Sequence, residues 1–125
     1  ACGCHSAARA QNASSHEALA PRPAAINHLA FFKLKDPADA ALLIADCDAM
    51  LGTIPGVVSY FAGRHLDTGR GERIDSNYDV AFYVGFQTQA DYARYVEHPR
   101  HKAMLQKWQP RWESIRVLDV LDAMP

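Results

Sequence analysis

The sequence predicts an α+β domain with the element order β-α-β-β-α-β, the ferredoxin-like split unit, built on an antiparallel sheet. Apolar residues alternate in residues 26–34 and again in residues 78–86, which is typical of strands with one buried face. Residues 36–39, Asp-Pro-Ala-Asp, and residues 88–91, Thr-Gln-Ala-Asp, are typical helix starts. These signals alternate along the chain, so strands and helices are interleaved.

The first helix has local signals for both its start and its end. Asp36 is predicted to cap the helix, with Pro37 at its first position. Apolar residues then recur at helical spacing, and Gly52 is expected to end the helix. The apolar positions are Leu43, Cys47, Met50 and Ile54. Asp39, Asp46 and Asp48 are left for the solvent side.

The second half of the chain completes the predicted sheet. A second strand is expected at residues 57–64, followed by a long polar loop and the strand at 78–86. A helix then runs to Glu97, and another runs from Pro99 towards Trp112, interrupted by Pro110. The last strand is predicted at residues 115–121.

Both crossover helices of such a unit pack on the same side of the sheet. The side chains expected beneath them are Ala30, Phe32, Val80, Phe82 and Val84. The opposite face would carry Leu29, Phe31, Ala81, Tyr83, Leu118 and Val120. A soluble monomer should not expose such an apolar patch, so two sheets packed face to face in a homodimer are expected.

Composition excludes several function classes. At 125 residues the chain has the length of one domain, and 49% hydrophobic residues are enough for a core. The net charge of −1 gives no electrostatic footprint for nucleic acid, so no such partner is predicted. No apolar run approaches the ~20 residues of a transmembrane segment.

Residues 1–24 are predicted to be a flexible tail, and residues 25–122 the folded domain. The tail is rich in Ala, Ser and Pro, and it contains Cys2 and Cys4. Ala1-Cys2 is similar to the end of a bacterial lipobox, and Ala8-Arg9-Ala10 to a small-x-small cleavage site. An exported protein or lipoprotein and a cytoplasmic protein with an N-terminal extension therefore both stay open. Whether the two tail cysteines are lipidated, disulfide-bonded or free is open too.

The segment Tyr95-Val96-Glu97-His98-Pro99-Arg100-His101 is the strongest chemical signal. Pro99 should end one helix and start the next, which would bring the phenol of Tyr95 close to the imidazole of His101. Imidazole titrates near neutral pH, so His101 is a candidate acid or base. The alternative is a structural corner, with His98 capping a helix and His101 bonded to a backbone carbonyl.

A small-molecule pocket is predicted between the helices and the sheet, because apolar clefts with a few polar groups are the usual ligand sites. His28 is expected to join Tyr95 and His101 there, by strand alternation. The expected lining residues are Phe32, Ile44, Cys47, Phe82, Trp112 and Ile115. Glu97, His98 and His101 lack a second pair of metal ligands, so no metal is predicted.

Residues 27–36 and residues 54–57, Ile-Pro-Gly-Val, together with the segment from Tyr95 to His101, resemble the stress-responsive dimeric A/B barrel family. The resemblance implies two chains that share one barrel. In the plant polyketide-cyclase branch of that family, the tyrosine and second histidine of a Tyr-x-x-His-Pro-x-His motif act on a tetraketide-like chain. Its catalytic tyrosine and second histidine match Tyr95 and His101, and an early-strand histidine matches His28.

Two functions stay open on these grounds. The first is a homodimeric stress-response module that binds a small apolar or aromatic ligand without turnover. The second is a cofactor-free cyclase or lyase, or a related barrel oxygenase, in which His101 removes a proton beside a carbonyl and Tyr95 stabilises the enolate. No metal or organic cofactor is predicted for either.

Overall fold

The computed structural model of the chain describes residues 17–123. Strand β1 (Ile26–Leu34) is followed by a 3₁₀ turn and helix α1 (Ala40–Met50). Strands β2 (Ser59–Arg64) and β3 (Val80–Phe86) come next. Helices α2 (Gln89–Glu97) and α3 (Pro99–Trp108) and strand β4 (Trp112–Leu121) complete the domain. The predicted α+β, ferredoxin-like element order is confirmed.

The four strands form one antiparallel sheet in the order β2-β3-β1-β4. β1 is a central strand, with Ala30 opposite Phe82 of β3 and Val117 of β4. The last strand starts three residues earlier than predicted, because Trp112 pairs with Leu34 across an irregularity in the register. β2 and β3 each start two residues later than predicted.

Both predicted capping residues cap a helical segment, but Asp36 and Pro37 begin a 3₁₀ turn (Pro37–Asp39), and α1 itself starts three residues later than predicted, at Ala40. The Asp36 carboxylate accepts a hydrogen bond from the Ala38 amide at 3.0 Å, in the turn that leads into α1. The Thr88 hydroxyl accepts one from the Asp91 amide at 3.1 Å and begins α2. Both bonds satisfy amides that have no partner inside the helix.

The helix ends differ slightly from the prediction. α1 ends at Met50, two residues before Gly52. Gly52 allows close packing, because a Cβ there would lie 3.0 Å from the Tyr60 ring. In the turn that follows, Gly56 has a φ of +97°, a conformation that L side chains rarely adopt. α3 ends at Trp108, and a 3₁₀ turn containing Pro110 leads into β4.

Of the aspartates that were expected to face solvent, Asp46 is partly buried and binds a core side chain, so that expectation is wrong for Asp46, whereas Asp48 is exposed as expected. The indole Nε1 of Trp108, a fully buried side chain, donates to Asp46 at 2.8 Å, and Lys107 pairs with the same carboxylate at 2.7 Å. Burial opposes ionisation of Asp46, but these two hydrogen bonds outweigh it and lower its pKa. The hydroxyl of Tyr60 donates to Asp48.

The helices cover one face of the sheet, as predicted. The side chains buried beneath them include Ala30, Phe32, Val80, Phe82 and Val84. The opposite face, here called the open face, carries Phe61 and Leu118, which are 52% and 51% exposed. Tyr83 on this face is held by Asn27 and Ser59 through its hydroxyl, at 2.6 and 2.9 Å.

Only the last part of the predicted tail is described, and it contacts the domain. Arg22 pairs with Asp122 at 2.7 Å, and Ala24 is buried. The amide of Asp122 donates to the carbonyl of Ala25 at 2.8 Å. Cys2, Cys4 and the two export motifs lie outside the described residues.

Within the described range, no helix is long and apolar enough to cross a bilayer.

Candidate ligand pocket

A cavity of about 170 Å³ lies between the sheet and helices α2 and α3. The predicted residues His28, Tyr95 and His101 all line it. Four of the six predicted wall residues line it too: Phe32, Phe82, Trp112 and Ile115. The remaining wall is formed by Ala30, Leu51, Tyr92, Val96, Met104, Leu105 and Val117. The cavity is therefore an apolar space with a few polar groups in its wall.

Ile44 and Cys47 do not line this cavity, which corrects two of the predicted wall positions. Cys47 is fully buried in the core, and Ile44 is half-buried against it. Burial raises the pKa of the Cys47 thiol to about 12, so the thiol stays protonated. Helical spacing identified α1 correctly, but it could not show that its buried side lies away from the cavity.

Tyr95 lies in the last turn of α2, and its side chain is buried. Its ring centre is 4.7 Å from that of His101 and 6.3 Å from that of His28. Its hydroxyl makes no hydrogen bond with the residues of the described range. Burial, followed by the nearby Cys47 and Tyr92, raises the pKa of Tyr95, so the phenol remains a neutral hydrogen-bond donor.

His101 lies in the first turn of α3, beyond the Pro99 break. Its Nδ1 is 2.9 Å from the carbonyl oxygen of Val96. A carbonyl only accepts, so Nδ1 carries the hydrogen, and in the neutral ring Nε2 has a free lone pair. Burial lowers the pKa of His101, helped by His28, while the Val96 bond and Glu97 act in the opposite direction. Neutral His101 is therefore the dominant form at pH ~7, with Nε2 as a base.

The sequence also allowed the segment from Tyr95 to His101 to be a purely structural corner, and this interpretation is correct for His98. The Nδ1 of His98 accepts the Arg100 amide at 3.1 Å and caps α3, just where Pro99 begins the helix. His101 combines both interpretations, since it is bonded to a backbone carbonyl and also lines the cavity. Within residues 17–123 no group of three or more His, Cys, Asp or Glu side chains is arranged to hold a metal ion.

His28 has partners that the sequence analysis missed. Its Nδ1 lies 2.7 Å from a carboxylate oxygen of Asp119 and 2.7 Å from the hydroxyl of Tyr92. The Tyr92 hydroxyl also donates to the same Asp119 oxygen at 2.8 Å. Two signals were available in the sequence: Tyr92 precedes Tyr95 by three residues on one helix face, and Asp119 interrupts the apolar row of β4 on the helix-covered side.

Trp112 contributes a second unpaired donor. Its indole Nε1 is buried and has no hydrogen-bond partner among the described residues. Its ring packs against Phe32, with ring centres 5.3 Å apart. The cavity is thus lined by two residues, Tyr95 and Trp112, whose donor groups have no hydrogen-bond partner in the described part of the chain.

A family model, the stress responsive A/B barrel domain, matches residues 26–122. The chain belongs to this family. The match covers the whole sheet and all three helices of the described fold. It confirms the relationship that the three sequence motifs indicated.

Several solved structures share this fold. A family member with a ferredoxin-like fold from Mesorhizobium loti is 29% identical, with a TM-score of 0.65 over 78% of this chain and 95% of the other. A dimeric ferredoxin-like protein of unknown function from Thermobifida fusca is 24% identical, with a TM-score of 0.66 over 86% and 99%. The hydroxynitrile lyase of Passiflora edulis is 20% identical, with a TM-score of 0.68 over 83% and 98%. The last two, below 25% identity, show the fold alone.

A search of curated proteins found no match to this chain.

The lowered pKa of His101 predicts a specific pH dependence of stability. The unfolded chain takes up a proton near the ordinary histidine pKa of ~6.5, whereas folded His101 resists it. The contribution of neutral His101 to the free energy of unfolding is therefore complete above pH ~6.5. It is lost as the pH falls below that value, by at most about 1.4 kcal/mol per pH unit. Urea unfolding at pH ~8 and ~5.5 should show that wild type loses more stability than His101→Gln. An equal loss in both proteins would contradict the prediction.

Proposed function

We propose that this A/B barrel protein binds one small apolar or aromatic molecule in the cavity beneath α2 and α3. The observation that carries the proposal is an apolar cavity lined by two residues whose donors have no hydrogen-bond partner among the described residues: the hydroxyl of Tyr95 and the buried indole Nε1 of Trp112. A buried polar group without a partner costs about 1–3 kcal/mol, and a ligand that accepts its hydrogen recovers that free energy. Ligand sites in proteins have this composition: mostly apolar walls and a few fixed polar groups.

The size of the cavity limits the ligand. An apolar protein cavity of roughly 150 Å³ holds benzene, so the 170 Å³ here suits one six-membered ring with a short substituent. Val96, Leu105 and Val117 also line the cavity and are partly exposed, which supports an apolar entrance between the helices and β4. A long chain would have to extend beyond this entrance.

Filling the cavity should abolish binding of a ring-sized probe. Ala30 is buried in the cavity wall, and Ala30→Leu would occupy part of the space. Calorimetric titration with toluene should show binding to wild type and a loss of at least about tenfold in the variant, a difference of about 1.4 kcal/mol. Ala62→Leu is the matched control, because Ala62 lies opposite Phe82 on the same face but does not line the cavity. Equal affinity of Ala30→Leu and wild type would refute the proposed pocket.

We also infer that the protein is a homodimer whose two open faces pack together. The support is the group of exposed apolar side chains Phe61, Leu118 and Val120 on the open face, because clustered exposed apolar residues commonly mark an interaction site. The similar protein from Thermobifida fusca is described as dimeric. Face-to-face packing of two sheets would remove this surface from water on both copies at once.

A charge on the open face should dissociate the dimer. Light scattering at micromolar concentration should report twice the chain mass of 13.8 kDa for wild type. Leu118→Asp should give the monomer mass or unfold, because an unpaired charge buried in an interface costs about 3–5 kcal/mol. Leu42→Asp is the control, since Leu42 is 44% exposed on α1, on the other side of the molecule. A wild-type monomer, or a Leu118→Asp dimer, would exclude this assembly.

A second candidate function is cofactor-free proton abstraction, and the state of His101 favours it. Its Nδ1–H is held by the Val96 carbonyl, so Nε2 is available as a base beside the unpartnered Tyr95 hydroxyl. Nε2 would take a proton from the carbon next to a carbonyl group, and Tyr95 would donate a hydrogen bond to the enolate oxygen. Returning the proton to carbon or to a leaving group would complete an exchange, cyclase or lyase step. The hydroxynitrile lyase of Passiflora edulis has the same fold but supplies no evidence of activity here.

Proton exchange gives a direct test of this chemistry. Acetophenone in deuterium oxide should exchange its methyl hydrogens faster with wild-type protein than in buffer alone, as measured by proton NMR. His101→Gln should lower the rate by about 10²–10⁴, the usual value for one general base. His65→Gln is the control, because His65 lies in the loop after β2, away from the cavity. Exchange no faster than in buffer would remove the chemical function and leave the binding function standing.

A further inference from the structure

We infer that Asp119 and Tyr92 are positioning residues that fix the tautomer of His28, so that its Nε2 accepts a hydrogen bond from a ligand hydroxyl. The inference rests on the proposed ligand function and specifies the ligand further: a small neutral ring that carries a hydroxyl donor. Tyr92 and Asp119 do not belong to the sequence motifs that indicated the pocket.

The evidence is a triangle of three polar atoms. Asp119 Oδ1, Tyr92 Oη and His28 Nδ1 lie 2.7 to 2.8 Å from one another. A carboxylate only accepts hydrogen bonds, so the two atoms that face it must supply the hydrogens. The phenol supplies one and Nδ1 of the imidazole supplies the other.

The fold fixes this triangle through its backbone. His28 and Asp119 are directly opposite in the β1–β4 ladder, so their side chains project from the same face at neighbouring positions. Tyr92 comes from α2 above them, and its ring stacks on Phe86 at 5.1 Å. Burial, followed by the hydrogen bond to Asp119, raises the pKa of Tyr92 and keeps its hydroxyl a donor.

The position of Tyr92 connects the triangle with the cavity. Its side chain lines the inner cavity together with His28, and also a shallow outer groove together with Asp119. Asp119 lies on the outer side, with 52% of its side chain exposed, whereas only 12% of the His28 side chain is exposed. The carboxylate of Asp119 is therefore in contact with water, whereas the imidazole of His28, which it orients, forms part of the cavity wall.

The consequence is a second acceptor in the cavity wall. With Nδ1 engaged, Nε2 is the ring nitrogen of His28 left for a ligand, and it makes no hydrogen bond within the described residues. His101 is in the same tautomer, because its Nδ1–H donates to the carbonyl of Val96 and leaves Nε2 as an acceptor. In the opposite tautomer, His28 would present an N–H and would favour a ligand carbonyl instead. The Asp119–Tyr92 pair thus selects hydroxyl donors.

The tautomer can be measured without any ligand. Nitrogen-15 NMR of labelled protein at pH ~8, where free imidazole is neutral, should show His28 protonated at Nδ1. Asp119→Leu should shift His28 towards the Nε2–H form that predominates in free imidazole. Asp119→Asn keeps an acceptor oxygen and should retain the Nδ1–H form. Tyr92→Phe, which removes one hydroxyl, should have a smaller effect than Asp119→Leu.

Ligand selectivity gives the functional readout, with phenol and toluene as size-matched probes. Wild type should bind phenol about three- to tenfold more tightly than toluene, the value of one neutral hydrogen bond. Asp119→Leu should reduce this preference, because only His101 is then left as an acceptor, and should keep its toluene affinity; Asp119→Asn should retain the wild-type preference. Glu113→Gln, an exposed carboxylate change on the same strand, is the control and should match wild type.

The possible failures are distinguishable. His28 protonated at Nε2 in wild type, or an unchanged phenol preference in a folded Asp119→Leu protein, would overturn the inference. If Asp119→Leu does not fold, an unchanged tautomer and preference in Tyr92→Phe would count against Tyr92, and the wild-type tautomer still decides the role of Asp119. If neither probe binds wild type, the proposed ligand function fails, and the NMR result alone decides the positioning role.

Discussion

Strand β1 is the element on which the rest of the structure depends. It lies between β3 and β4, and the alternation of its side chains assigns His28, Ala30 and Phe32 to the helix-covered face. Leu29 and Phe31 go to the open face. A shift of one residue in its register would exchange the two sets, which would expose the core and bury the open face. The cavity and the apolar surface proposed for dimerisation are thus two results of one strand alternation.

The corner between α2 and α3 completes the cavity. Pro99 cannot continue the preceding helix, and His98 caps the next one through its side chain. The chain therefore turns at this point, which places Tyr95 before the turn beside His101 after it. The same turn leaves the carbonyl of Val96 free to hold Nδ1 of His101. A structural corner and a candidate base are compatible in one segment, because Nδ1 of His101 bonds the backbone while Nε2 has no hydrogen-bond partner among the described residues.

Burial sets the protonation states of the pocket side chains more than neighbouring charges do. Burial keeps Tyr95 and Tyr92 protonated and His101 neutral, so the cavity wall offers neutral donors and acceptors. The acidic group that orients His28 lies on the solvent side, where its charge costs little. Such a wall suits a neutral ligand, because an ionised one would have to lose its water without a fixed counter-charge.

The sequence by itself determined the element order, the capping residues and the two faces of the sheet, because these depend on local periodicity and capping. It also identified Tyr95, His101 and His28, since alternation and the Pro99 break place them without long-range information. Only the tertiary structure decided that Cys47 and Ile44 lie outside the cavity and that Asp46 binds Trp108. The pairing of His28 with Tyr92 and Asp119 was likewise decided there. These contacts join residues far apart in the chain, and their geometry depends on strand register and helix packing, which no local pattern contains.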